Sequence, residues 1–224
     1  PNGSLRLSLG IDPAKSTRDK RNSVDHPKRG LLASVTLADI GTKDGVKEII
    51  LPGLDGWLYV WDGKTGLPRT GFPKEIRQTP KPAGLSARGE LIQTVSVADL
   101  DGDGKLEIVT GSSDVIPAEP KPPSGPPPLP TAGSGALVDY VLANSAGGET
   151  RIYAIKADGT FMPGWPKALT GLLPDVLPFV GPQHGTAVAD FDRDGRDDVV
   201  ASMTTGNVTI LYGNGTVKAL GSQG

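Results

Sequence analysis

The sequence predicts an all-β protein built from repeated units, and three observations predict it. A pattern of alternating strand, acidic glycine-containing loop and apolar strand occurs three times. Glycine and proline are abundant, at 31 and 21 of 224 residues, while aromatic residues make up only 5%, a composition that suits short strands and many turns. Recurrent apolar runs, such as Val95 to Leu100 and Val208 to Tyr212, set the chain apart from a disordered one.

The first unit reads Ser34-Val-Thr-Leu-Ala-Asp39 and runs on to Ile50, the second begins at Thr94 and the third at Thr186. Each has an alternating strand ending in Ala-Asp, then the acidic loop, an apolar strand and a second alternating strand. Those second strands are expected at Trp57 to Asp62, Arg151 to Lys156 and Asn207 to Tyr212. The first two units also share a tail, Gly71-Phe-Pro-Lys74 and Gly164-Trp-Pro-Lys167. The unequal spacing of the repeats is explained by an insertion of roughly thirty residues at 113–148. The expected organisation is an N-terminal segment at 1–32 that finishes a preceding unit, repeat 1 at 33–93, repeat 2 with its insertion at 94–184, and an incomplete repeat 3 at 185–224. Within the first segment only Leu5 to Leu9 reads as a strand. The insertion carries the proline-rich run Pro117 to Pro130, which excludes a strand because proline fixes φ and donates no hydrogen bond. It reads as a stiff polyproline II surface loop, with a ligand for an aromatic groove as the second reading.

A formal net charge of −2 offers no basic stripe for a phosphate backbone, so no nucleic acid partner is expected. The chain has no cysteine, which removes disulfides, thiolate zinc sites and cysteine nucleophiles. No apolar run approaches the ~20 residues of a transmembrane segment. Pro1 is neither an initiator nor part of a signal peptide, so a mature or excised piece is expected.

The second loop, Asp99-Leu-Asp-Gly-Asp-Gly-Lys-Leu-Glu107, offers Asp99, Asp101, Asp103 and Glu107 as carboxylate ligands and the backbone carbonyl of Lys105, its ammonium turned away. So many carboxylates in one short loop repel one another, and a divalent ion relieves that repulsion. Calcium fits best, because it accepts six to eight oxygens in flexible geometry. The third loop repeats the set as Asp190, Asp192, Asp194, the Arg196 carbonyl and Asp198. Neither is an EF-hand, since Thr110 and Ala201 stand where the bidentate glutamate would be. The first loop keeps Asp39, Asp44 and Glu48 but has glycine in place of the second carboxylate and one extra residue, and Lys43 is expected to weaken or replace the ion. The competing reading of all three loops is an acidic turn closed by Asx hydrogen bonds without metal.

On these residues the chain resembles the FG-GAP/VCBS repeat family, also found in integrin α-subunit propellers. The resemblance covers most of residues 33–224, and the divergent Thr110-Gly111-Ser112 makes the VCBS version the closer likeness. It implies a β-propeller of four-stranded blades with calcium in the loops at Asp99, Asp101, Asp103 and Glu107 and at Asp190, Asp192, Asp194 and Asp198. About three blades are present where four to eight close a ring, so a larger chain or other chains would supply the rest.

The expected function is a secreted, extracellular or periplasmic calcium-binding module acting in binding, adhesion or scaffolding, with a protein or carbohydrate ligand on its loops. The alternative is a propeller enzyme. Similar calcium loops occur in polysaccharide lyases, and Asp55 to Gly66 looks like part of a quinoprotein dehydrogenase repeat, although Thr70 stands where that repeat has tryptophan. No hydrolase, metalloprotease or P-loop motif is present, and His26 and His184 occupy unrelated positions. Trp57, Trp61 and Trp165 read as packing between blades, with a sugar-stacking surface as the second reading. Sequons at Asn2, Asn207 and Asn214 are compatible with secretion.

Overall fold

The structure is a computed structural model that describes residues 7–12, 14, 17–19, 26–28, 30–76, 89–91, 93–115, 148–168, 185–202 and 208–217. The proline-rich run Pro117 to Pro130, His184, Asn2 and Asn207 lie outside the described residues. The strands are β1 Thr17–Asp19, β2 His26–Lys28, β3 Thr36–Ala38, β4 Glu48–Pro52, β5 Trp57–Asp62, β6 Lys74–Glu75 and β7 Gly89–Glu90. They continue as β8 Ser96–Ala98, β9 Glu107–Val115, β10 Gly148–Ile155, β11 Lys167–Ala168, β12 Ala187–Ala189, β13 Asp198–Ser202 and β14 Val208–Leu211. The fold is all-β, as the sequence predicts.

Three blade-like antiparallel sheets follow one another: β3-β4-β5-β6, then β8-β9-β10-β11 with β7 beside β9, then β12-β13-β14. A separate hairpin pairs β1 with β2. Among the described residues the sheets do not close into a ring. The register is the same in all three. Ala38 faces Glu48, Ala98 faces Glu107 and Ala189 faces Asp198, so each acidic loop bridges two adjacent antiparallel strands and the acid at its end opens the second strand.

Side chains alternate across each strand, and the second sheet buries both of its faces, one against each neighbouring sheet. In β10, Ile152 and Ala154 enter the core shared with the third sheet, while Tyr153 and Ile155 enter the core shared with the first. The first core joins Ile40, Ile50, Leu58 and Val60 to Ile108 and Tyr153, and the second joins Leu100 and Val109 to Val199 and Leu211. On the far face of the first sheet, Tyr59 stacks on Trp61 with centroids 5.4 Å apart, and Leu9, Ile11 and Leu31 pack there. Asp55 caps the β4–β5 turn, accepting hydrogen bonds from the Tyr59 hydroxyl at 2.6 Å and the Trp57 N–H at 3.1 Å.

The shared tails are the joints between sheets. Gly71 (φ +87°) lies so close to the Asp158-Gly159 turn of the second sheet that a Cβ there would overlap the Asp158 carbonyl. Gly164 (φ +84°) sits the same way on Asn214 of the third sheet, where a Cβ would come within 2.5 Å of the carbonyl oxygen. Trp165, next along, donates its indole N–H to the Gly213 carbonyl at 2.9 Å. The peptide bonds Phe72–Pro73 and Trp165–Pro166 are both cis.

The described residues add detail to the local readings. Leu7 to Leu9 form no strand and lie on the first sheet, with Leu7 and Leu9 against Gly66, while Leu5 and Arg6 lie outside the described residues. Pairing of Gly148 with Val115 and Thr150 with Ser113 carries the β9–β10 hairpin into both ends of the 113–148 segment. The second strand of the second unit starts at Gly148, ahead of Arg151, for the same reason.

Replacing Gly71 with alanine combines left-handed strain with backbone overlap and is expected to destabilise the fold by at least about 2 kcal/mol. Gly45→Ala, also at positive φ but with open space around it, should lose only about 1 kcal/mol. Urea unfolding of the two variants beside the parent measures the difference.

Candidate metal centre

The three acidic loops share one hydrogen-bond scheme. The first aspartate accepts from the glycine N–H at the tight turn, Gly45 to Asp39 at 2.7 Å, Gly104 to Asp99 at 2.7 Å and Gly195 to Asp190 at 3.0 Å. The aspartate before that glycine accepts from the residue after it, Val46 to Asp44, Lys105 to Asp103 and Arg196 to Asp194. The buried terminal acid reaches back to the second residue of its loop, so Glu48 accepts from the Ile40 N–H at 2.8 Å, Glu107 from Leu100 at 3.0 Å and Asp198 from Phe191 at 3.3 Å. The turn demands positive φ at the residue before the aspartate that precedes the turn glycine, supplied by Gly102 in one loop and, against steric preference, by Lys43 (51°) and Arg193 (62°) in the others.

Carboxylates converge in two of the loops. Asp99, Asp101 and Glu107 each bring an oxygen within 4.8 Å of the others, and so do Asp190, Asp192 and Asp194. Asp103 stands apart from the first of these groups and pairs with Lys105, Nζ to Oδ2 at 2.9 Å. The Lys105 ammonium is held by the Asp103 carboxylate two residues earlier. Lys156 from the end of β10 donates to Asp101 at 3.1 Å. Asp198 is buried at the base of its loop. Asp39, Asp44 and Glu48 form no such convergent group among the described residues, and Lys43 extends to Gly104 of the second loop.

Burial pushes the Glu107 carboxyl up to about 7, and the charges of Asp101 and Asp103 push the same way against the Leu100 N–H. Asp103 is held below the usual carboxylate range by the hydrogen bonds from the Lys105 side chain and backbone, and Lys156 is raised by its bond to Asp101. Negative charge at Glu107 is thus poorly compensated by the protein alone. A donor set made only of hard oxygens, with a buried acid that burial and two nearby carboxylates push toward its neutral form, fits a hard divalent cation.

The loops also touch one another. Asp99 N–H donates to Asp197 Oδ2 and Asp197 N–H donates to the Asp99 carbonyl, both at 2.9 Å. Arg196 lies over Gly102, where a Cβ would be 3.3 Å from its Cγ. Sequence reasoning did not find Asp197, Lys156 or Arg69, which ion-pairs with Glu48. The doubled acid Asp197-Asp198 was visible, but nothing in the linear pattern aims Lys156 or Arg69 at a loop.

The FG-GAP repeat family model matches residues 92–120, the stretch that holds the second loop. No curated protein matches the chain. Among solved structures, the chain is similar to BBS1N in the crystal structure of its complex with ARL6DN, soaked with lead, at 10% identity over 85% of this chain and 56% of that one, with a TM-score of 0.28. It is also similar to the V. cholerae biofilm matrix protein Bap1, at 14% identity over 87% of this chain and 40% of that one, with a TM-score of 0.22. The chain thus spans about half the length of the solved chains it matches. The class defined by fold and loops is an all-β protein of blade-like sheets carrying an FG-GAP repeat.

Because the folded Glu107 pKa lies above its ordinary 4.5, the folded state holds this proton more tightly than the unfolded chain. Metal-free protein should therefore lose stability as pH rises from about 4.5 to about 7, by on the order of 1–3 kcal/mol. Glu107→Gln keeps an acceptor for Leu100 and should flatten that dependence, as measured by urea unfolding in chelator at pH 5 and pH 8.

Proposed function

We propose that this chain is a secreted calcium-stapled β-propeller segment of the FG-GAP/VCBS kind, whose role is binding, adhesion or scaffolding. The observation that carries the reading is the convergence of three carboxylates in each of two homologous loops, Asp99, Asp101 and Glu107, and Asp190, Asp192 and Asp194. Asp103, Asp198 and the backbone carbonyls of Lys105 and Arg196 would complete the two oxygen sets. Bound calcium would neutralise the clustered acids and cross-link two ends of each loop. Such sites suit the calcium-rich exterior of a cell, and no helix among the described residues is long and apolar enough to cross a membrane. A protein or carbohydrate ligand would meet the loops, and further blades from a longer chain or from other chains would complete the disc.

Calorimetric titration of calcium into metal-stripped protein should find two sites, with Asp101→Ala and Asp192→Ala each losing one. Saturating calcium should raise the melting temperature through mass action. An absence of binding at millimolar calcium would overturn the reading and return the loops to ordinary Asx turns.

A further inference from the structure

We infer that the first sheet carries its own cation: the Arg69 guanidinium takes the place of metal in the Asp39 loop, so that this loop closes without an ion. The inference rests on the calcium reading of the other two loops, which it restricts to the second and third sheets.

Position and chemistry both point to Arg69. Its Nη1 ion-pairs with Oε1 of Glu48, which is 1% exposed, while Glu48 Oε2 accepts the Ile40 N–H. Both oxygens of the buried terminal acid are thereby used. Its Nη2 lies 3.4 Å from where a Cβ on Gly41 would be. Gly41 is the loop's third residue, the position at which Asp101 and Asp192 stand in the other loops. A carboxylate there would be strained: Gly41 has φ +84° and its Cβ would lie 2.9 Å from the Ala157 Cβ. The ligand is missing and a cation's side chain fills the space beside it.

The second sheet has no cation at the position equivalent to Arg69. Arg69 N–H donates to the Val60 carbonyl and Met162 N–H donates to the Ala154 carbonyl, each at 2.9 Å, and Val60 and Ala154 occupy matching register positions opposite Ile50 and Val109. Met162 is therefore the equivalent of Arg69 in the second sheet, buried in the second core. The corresponding Lys218 of the third repeat lies outside the described residues. Lys43, the cation expected from sequence to stand in for the ion, is directed to Gly104 of the neighbouring loop instead. A guanidinium suits this task because it stays charged and offers several donors in a rigid plane. The one oxygen left over is Asp39 Oδ1, which is buried and accepts no hydrogen bond, so Asp39 is the residue on which the alternative would turn.

The test is hydrogen exchange on the whole chain, in chelator and in millimolar calcium, with calcium stoichiometry measured beside it. In the parent protein the Ile40 and Gly45 amides should be equally protected in both conditions, while those of Leu100, Gly104, Phe191 and Gly195 should lose at least tenfold protection in chelator. Arg69→Met should lower Ile40 and Gly45 protection at least tenfold, with partial return in Arg69→Lys. Asp39→Asn should leave the stoichiometry at two. A third calcium in the parent, loss of an ion in Asp39→Asn, or calcium-dependent protection of Ile40 would overturn the inference while leaving the calcium reading in place. Unchanged Ile40 protection in Arg69→Met would also overturn it. If no loop binds calcium, the calcium reading fails, and the exchange comparison of parent with Arg69→Met still decides the role of Arg69. Should Arg69→Met not fold, the parent exchange data and Asp39→Asn decide it.

Discussion

Each sheet depends on a buried carboxylate that accepts the N–H of a residue several positions earlier, across its own loop. Glu48, Glu107 and Asp198 do this for Ile40, Leu100 and Phe191. The bond decides where the first strand stops and the second starts, and so fixes the register that sends alternate side chains into the two cores. It also places an anion at the base of a loop already rich in anions. A charge there is costly to bury alone, so every loop needs a compensating cation or a proton. The cations actually in reach differ between loops: Arg69 at Glu48, and Lys156 and Lys105 on the acids above Glu107.

Between sheets the dominant force is apolar burial, and its geometry follows from the strand period. The second sheet is the clearest case, because its two faces divide cleanly, with Tyr153 and Ile155 to one side and Ile152 and Ala154 to the other. Polar contacts at the inner strands add direction to this packing. The Thr36 hydroxyl donates to the Val95 carbonyl at 2.7 Å, and Ser96 meets Thr186 in the same place one sheet further on.

Much of this was legible in the sequence because it is periodic. The Ala-Asp ends of β3, β8 and β12, the turn glycines and the apolar run of β9 all announce themselves by recurrence, and the resemblance to FG-GAP repeats rests on the same residues. What stayed hidden was everything that depends on which residues of different strands meet. Leu7 to Leu9 alternate like a strand yet serve as packing for Gly66 and the first sheet's outer face. Lys43 has the right charge and lies in the right loop, but the extra residue and its positive φ send it to the neighbour. The spacing that marks Asp103 as a ligand does not show that the lysine two residues on reaches its carboxylate.

The seating of each tail on the next sheet's turn means that the interlocking unit is not the sheet. It begins at Gly71 and ends at the Asp158-Gly159 turn, then begins again at Gly164 and ends at Asn214-Gly215. The smallest piece with a complete joint therefore starts in one sheet and finishes in the next. A boundary drawn between turn and tail, in the few residues from Thr160 to Pro163, leaves the joint on either side of it whole.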